Sequence, residues 1–483
     1  MKNLSFIIIS IIALTTFSCQ REDVQKNGEL ITITATQQGL PDLKTNIGAP
    51  GTYGVTWNAT DNLAVFDGTG LNKNVPFNYS SGAGTQSGNF SGTITGWTSG
   101  SKTFYGVYPY NIANSTSHSP YGLTIPTAQT QDFSSGATQY AHLGLYDFMA
   151  AAPVTVNKTG DAQPAISFSF QHLMAILDIE VTNSTGGAVT VTKISILREA
   201  GNFTKTANLN LTLAPGSNYA PVSYTNQLDL TVTNAGSTDS GVKFTGSMIV
   251  APADLSGGIT GFVVTVTGGT QYSVTKTAGP SLAAGNRYKA QITITTPSFF
   301  DLRGSKVYKT VKIGTQIWMA ENLIFVPASG SSWCYGNSSL NCDTYGKLYD
   351  WTTATADTHG NGTDICPDGW HLPLDDEFTT LTTFLAGELV AGGPLKETGA
   401  THWTIQSPGA TNSSGFTALP GGYRVPFGGG IFDGLGTVAY FWSASEDGGS
   451  NAWYRRLGYD SDGVELGSTV LSMGLSVRCL QNK

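Results

Sequence analysis

The residues able to do chemistry are five cysteines, six histidines and a scatter of loop carboxylates. Cys334, Cys342, Cys366 and Cys479 form an even set late in the chain, while Cys19 stands alone near the start. An even set in an exported chain reads as two disulfides, for which three pairings exist. Cys334 and Cys342 enclose a short Gly/Asn/Ser loop and are the natural local pair, which leaves Cys366 with Cys479. Zinc is disfavoured, because no Cys-x-x-Cys occurs and the histidines are dispersed. A reactive thiol is disfavoured too, since paired cysteines are inert. His371 stands near Asp375 and Asp376, as acid–base chemistry would need, yet no nucleophile elbow or His-Glu-x-x-His accompanies it. Asp433, Glu446, Asp447, Asp460 and Asp462 offer carboxylates for a glycosidase pair. Loop acids are usually solvated, so hydrolysis ranks last among the readings, and no metal or cofactor is expected.

The elements that must position these groups follow an export signal. Lys2 supplies its positive region, and Leu4 to Leu14 form an apolar run too short to span a bilayer. Thr16-Phe17-Ser18-Cys19 resembles a bacterial lipobox, departing from it at Thr16 where Leu is usual. The resemblance implies cleavage after residue 18 and acylation of Cys19, with palmitate among the chains, which anchors the protein to the outer membrane. Gln20-Arg21-Glu22-Asp23, within a tether over 19–27, is similar to the acidic signal that sends Bacteroidetes lipoproteins to the outer cell surface.

Only 12% of residues are charged, glycine reaches 59, and the net charge is −8 with no basic block. Phosphate binding needs clustered Lys and Arg, so a nucleic-acid partner is excluded. From residue 30 to about 297 the pattern is β. Leu30-Ile31-Thr32-Ile33-Thr34-Ala35-Thr36 alternates with period two, as do the runs at 176–181, 189–192, 262–266 and 290–294. Asn183-Ser184-Thr185-Gly186-Gly187 reads as a hairpin loop that keeps its flanking strands in one domain. These signals give two tandem β-sandwiches, 28–160 and 161–297.

Seven pieces in order carry a family resemblance. They are Val55-Thr56-Trp57 with Asp61–Phe66; Phe104–Tyr110; Ile125-Pro126 with Gln129; Asp147–Ala150; Phe170–Leu177; Val250–Leu255; and Ala284–Tyr288. Together they resemble the Bacteroidetes fimbrillins, which implies a pilus subunit. Among them His172 reads as a satisfied buried histidine. In that family an N-terminal strand is removed by proteolysis and a strand from another subunit fills the groove, which is β-augmentation. Leu30–Thr36 is the matching strand. The usual cut follows Arg, whereas the well-placed basic residue here is Lys44.

After residue 297 tryptophans and cysteines concentrate. Pro373, the acidic Asp375-Asp376-Glu377 and the spacing of Phe378, Leu381 and Leu385 predict a helix. Val311–Leu323, Tyr345–Trp351, Cys366–Pro373, Leu419–Arg424, Phe441–Ser445 and Leu475–Cys479 resemble the Fibrobacter succinogenes major paralogous domain. This implies an α+β, C-type-lectin-like module over 298–483 with its termini close together. The Glu-Pro-Asn, Gln-Pro-Asp and Trp-Asn-Asp runs of calcium-dependent lectins do not occur, so a calcium-bridged sugar site is not supported. Ligand contacts are expected from Arg424, Phe427, Phe432, Trp453, Tyr454, Arg455, Arg456 and Tyr459, since Tyr, Trp and Arg are the usual anchors of recognition.

The expectation is therefore a mainly β, surface-exposed fimbrial lipoprotein rather than an enzyme. Its sandwiches accept a donor strand from other pilus subunits, and its C-terminal module, at the pilus tip, binds an extracellular glycan or protein. A non-polymerising surface binding lipoprotein is the alternative.

Overall fold

The computed structural model describes residues 29–37, 57–111, 118–134, 140–199, 203–277, 279–356, 364–405 and 409–482. The signal over 1–18, the tether with Cys19, and Lys44 lie outside these.

The strand Glu29–Gln37 forms as its alternation requires. Ile31, Ile33 and Ala35 are buried, and Leu30 points outward. It is an interior strand, antiparallel to Ser87–Ile94 and parallel to Ile166–His172. The sheet continues through Met149–Ala151 to Gly100–Tyr108 on one side, and through Val75–Ser81 to Asn62–Asp67 on the other. Asn62–Asp67 also pairs with Gly100–Tyr108, so the first sandwich closes on itself, with Val154–Lys158 paired to Gly100–Tyr108 alone. Trp57 seals the core: its indole N–H donates to the Ala35 carbonyl at 3.0 Å, and its ring meets Phe90 and Tyr108 edge-on at 4.9 and 5.5 Å. A buried ion pair, Lys102 to Asp67 at 2.7 Å, is completed by Asn72, which donates to the same carboxylate at 2.6 Å.

The second sandwich packs Lys243–Val250, Ala175–Asn183 and Arg287–Ile294 against a five-stranded sheet. That sheet runs Gln271–Lys276, Thr260–Val266, Val191–Arg198, Gln227–Thr233 and Ala128–Asp132. Ile179, Ile194, Leu230, Met248 and Val264 fill the space between them. The hairpin expected at 183–187 is not one. Ala175–Asn183 and Val191–Arg198 lie in opposite sheets, and the loop crosses the sandwich instead of closing a ladder. Turn residues mark a reversal without naming the partner, and here Asn183 fixes the crossing by donating to Gly187 and Thr238 carbonyls at 2.7 Å.

Nor do the sheets divide at residue 160. Ile166–His172 belongs to the first sheet and Ala128–Asp132, earlier in the chain, to the second. β-ladders join strands distant in sequence, so chain order alone could not locate this break. A third apolar cluster, with Phe66, Val107, Leu123, Ile176 and Leu209, seals the crossover. His172 is buried with Nδ1 2.8 Å from Asp147, as a satisfied core histidine should be.

Ser298–Asp301 leads directly into the C-terminal module by pairing with Lys306–Ile313. The next strand, Gln316–Met319, meets the far end of the module, with Trp318 opposite Leu480. The helix Asp375–Phe384 follows its signals: Phe378 and Leu381 are buried, and Glu377 accepts the N–H of Leu374 at 2.9 Å. A second sheet carries Ser332–Trp333, Leu348–Tyr349, Leu475–Ser476, Val438–Glu446, Gly421–Arg424 and Phe432–Leu435. Asn451–Gly458 and Glu465–Val470 extend it from Val438–Glu446.

Candidate functional site

The two disulfides join Cys334 to Cys342 and Cys366 to Cys479. The first staples the short loop from Cys334 to Cys342, with Tyr335 just inside it and Trp333 just before it. Opposite stands Arg424, at the end of Gly421–Arg424, held by reciprocal backbone hydrogen bonds with Gly474 of 2.9 and 2.8 Å. Its guanidinium lies 4.1 Å over the Trp333 ring and 5.8 Å from that of Phe432, and Phe432 packs on Tyr335 at 5.4 Å. The loop closing this hairpin contains Gly428, Gly429 and Gly430, all at positive φ. A side chain at Gly430 would displace the Arg424 guanidinium, and the positive φ there independently favours glycine. Phe427 and Ile431 project from the loop, 72% and 56% exposed.

A row of tyrosines starts on the opposite face of the same hairpin, where Tyr423 pairs across from Asp433 while Arg424 pairs across from Phe432. Tyr423 meets Tyr440 at 5.2 Å, and Tyr440 meets Tyr454 at 5.0 Å, each edge to face and each half-buried. Tyr423 donates to Asp433 at 3.2 Å. Burial, reinforced by the Asp433 charge, raises the Tyr423 pKa, and burial likewise raises that of Tyr440. Arg456 is ion-paired with Glu465. Burial opposes its charge, but the Glu465 carboxylate outweighs this and holds its pKa above the ordinary arginine value.

The expected contacts thus divide. Arg424 and Phe432 come together, Phe427 projects from the loop of the same hairpin, and Tyr454 and Arg456 join the tyrosine row. Arg455 does not belong with them: it is 1% exposed, ion-paired to Asp375, and donates to Thr379 at 3.2 Å. On a strand alternate residues face opposite sides, and Arg455 takes the side covered by the helix Asp375–Phe384. Tyr459 packs against the core formed by Trp318, Phe378 and Phe441, and Trp453 is half-buried on the side of the strand opposite Tyr454. Trp333, Tyr335, Tyr423 and Tyr440 were not singled out from the sequence. The signal for the first two was their position flanking a cysteine.

His371 serves structure. Nε2 is 2.8 Å from Glu377 and Nδ1 2.6 Å from Asn482, in place of the pairing with Asp375 or Asp376 considered from the sequence. The Glu377 contact raises its pKa, against burial. Among the described residues no three His, Cys, Asp or Glu side chains converge to hold a metal. A separate cavity of about 580 Å³ opens in the second sandwich between Gln271–Lys276 and Arg287–Ile294. Both are edge strands, and Leu177, Leu255, Phe262, Leu282 and Tyr288 line it.

The described residues form a mainly β protein of several sheets. Residues 51–315, more than half of the chain, match the model for fimbrillin-like proteins, and residues 311–481 match that of the Fibrobacter succinogenes major domain. The chain belongs to the fimbrillin-like family. It is a structural, non-enzymatic fimbrial protein of the cell surface. No curated protein matches it. Among solved structures, a Bacteroides ovatus protein assigned to cell adhesion is 17% identical with a TM-score of 0.37, covering 56% of this chain and 93% of its own. A Bacteroides uniformis protein assigned likewise is 19% identical with a TM-score of 0.35, covering 55% and 93%. The tip fimbrial protein Mfa3 of Porphyromonas gingivalis, C-terminally truncated, is 13% identical with a TM-score of 0.29, covering 55% and 94%. The family assignment rests on the family match alone.

Proposed function

We propose that this chain is exported as a surface lipoprotein and matures into a tip subunit of a pilus, whose sandwiches receive a donor strand and whose C-terminal module binds an extracellular ligand. The observation that carries the reading is the fate of Arg287–Ile294. This last strand of the second sandwich runs into the module through Ser298–Asp301 instead of ending free. Cys479 and Leu480 are in turn tied back, by the disulfide to Cys366 and by pairing with Trp318. Among the described residues the strand that ends the second sandwich is therefore tied into the module, which suits a subunit that accepts a strand.

Two acceptor sites support the reading. Cleavage after Lys44 would release Glu29–Gln37 and leave the slots of Ile31, Ile33 and Ala35 empty between Ser87–Ile94 and Ile166–His172. The apolar cavity between the two edge strands of the second sandwich would hold a short strand without any cleavage. Acylation at Cys19 and export by the acidic tether place the chain on the outer membrane. Ligand contacts are assigned to Arg424, Phe427, Phe432, Tyr454 and Arg456, with Trp333, Tyr335, Tyr423 and Tyr440 added from the geometry.

One observation favours a non-polymerising surface binding lipoprotein instead. Glu29–Gln37 is hydrogen-bonded on both sides, so the uncleaved first sandwich has no vacancy there. Mass spectrometry of the mature N-terminus, combined with crosslinking in intact cells, separates the two. Loss of residues 19–44 and capture of a second pilus subunit support the tip subunit; retention of them with no subunit captured supports the alternative.

A further inference from the structure

We propose that Arg424 is the receptor for a carboxylate on a sugar ring, so that the extracellular ligand of the C-terminal module is an acidic glycan; this rests on the ligand-binding reading above. The module has five arginines, and four are committed. Arg303 pairs with Asp301, Arg455 with Asp375, Arg456 with Glu465, and Arg478 donates to Asn322 and to the Phe416 carbonyl. Arg424 is different. Among the described residues its guanidinium makes no hydrogen bond and no ion pair, and its neighbours are the faces of Trp333 and Phe432.

A half-buried cation without a counter-charge is costly unless something supplies one. Here it is also held in place. Trp333 lies beneath it, and Gly430 backs onto it so closely that an added Cβ would push it aside. Gly474 lets its stem and Trp333 approach, since a methyl group added there would stand 2.9 Å from the Arg424 Cβ. The disulfide Cys334–Cys342 fixes the chain just after Trp333. A guanidinium fixed in this way offers a planar fork of N–H donors, which matches a carboxylate in bidentate fashion. On the same face Phe432 and the Tyr335 ring packed on it, both part-exposed, present the aromatic surface against which pyranose C–H faces pack. The carboxylate is therefore assigned to a sugar.

The test is titration of the full chain with oligosaccharides ending in glucuronate, galacturonate or sialate, each alongside its neutral methyl ester, and with a peptide bearing a free C-terminal carboxylate. At least one acid is expected to bind tenfold or more tightly than its ester. Arg424→Gln should remove that preference while leaving the melting temperature unchanged, and Arg424→Lys should restore only part of it. Gly430→Ala keeps every charge but displaces the guanidinium, and should lose the preference as well. The inference is overturned if acids and esters bind alike, if Arg424→Gln binds like the parent, or if only the peptide binds. A neutral glycan or protein captured independently of Arg424 overturns the inference but leaves the ligand-binding reading standing. Failure of intact pili to bind any glycan or protein removes that reading too.

Discussion

The guanidinium of Arg478 is wholly enclosed and is held by Asn322, whose Oδ1 accepts from Nε at 3.0 Å and from Nη2 at 2.6 Å. The Phe416 ring centroid lies 4.3 Å from the guanidinium carbon, and the Phe416 carbonyl accepts from the same group. Burial pulls the Arg478 pKa down to about 9, which leaves the group charged at neutral pH. Asn322→Ala strips the accepted hydrogen bonds from a buried cation. It is expected to destabilise the C-terminal module by about 2–3 kcal/mol, read as a lowered calorimetric transition.

The two disulfides should differ in weight. Loop-closure entropy in the unfolded chain grows with the sequence separation of the cysteines, here 113 for Cys366–Cys479 and 8 for Cys334–Cys342. On that scale they contribute about 5 and about 2.5 kcal/mol respectively. Denaturant titration of Cys366→Ser/Cys479→Ser and Cys334→Ser/Cys342→Ser chains checks the order. The second pair should also weaken acidic-glycan binding, because it frees Trp333.

In the first sandwich, Lys102→Met leaves Asp67 buried without its counter-ion. A loss of about 3–5 kcal/mol is expected, whereas the double change Lys102→Met/Asp67→Leu should recover much of it. Urea midpoints of the three chains decide this.

The second sandwich should be acid-sensitive at Glu180. Lys243 first, with Gln291 and Lys289, draws its pKa down from 4.5 to about 2. A carboxylate depressed in the folded state stabilises fully above its unfolded value and loses that contribution as pH falls through the folded one. Stability from Glu180 is therefore present above about pH 4.5 and drains away towards pH 2. Glu180→Gln should flatten that part of the pH–stability profile, as followed by circular dichroism.

Local patterns made much of this molecule legible. The alternation of Leu30–Thr36, the acidic start of the helix at Asp375 and the local pairing of Cys334 with Cys342 are all near-neighbour effects, and each appears as expected. Long-range ladders were not legible. Nothing near Ile33 says that it lies beside Ile166, and nothing at Asn183 says that its loop crosses the core. The recognition residues failed in the same way. Arg455 and Arg456 are adjacent and alike in sequence, yet a helix covers one and solvent reaches the other. Trp333 and Tyr335 became visible as site residues only when the fold brought Arg424 and Phe432 to them.

The central claim is that the chain ends a pilus and presents its C-terminal module there. Electron microscopy of purified pili labelled with gold-conjugated antibody to residues 301–483 tests it most directly. The account requires label at one end of each fibre and none along it. Label spaced along the shaft, or absent from the fibres, would contradict it.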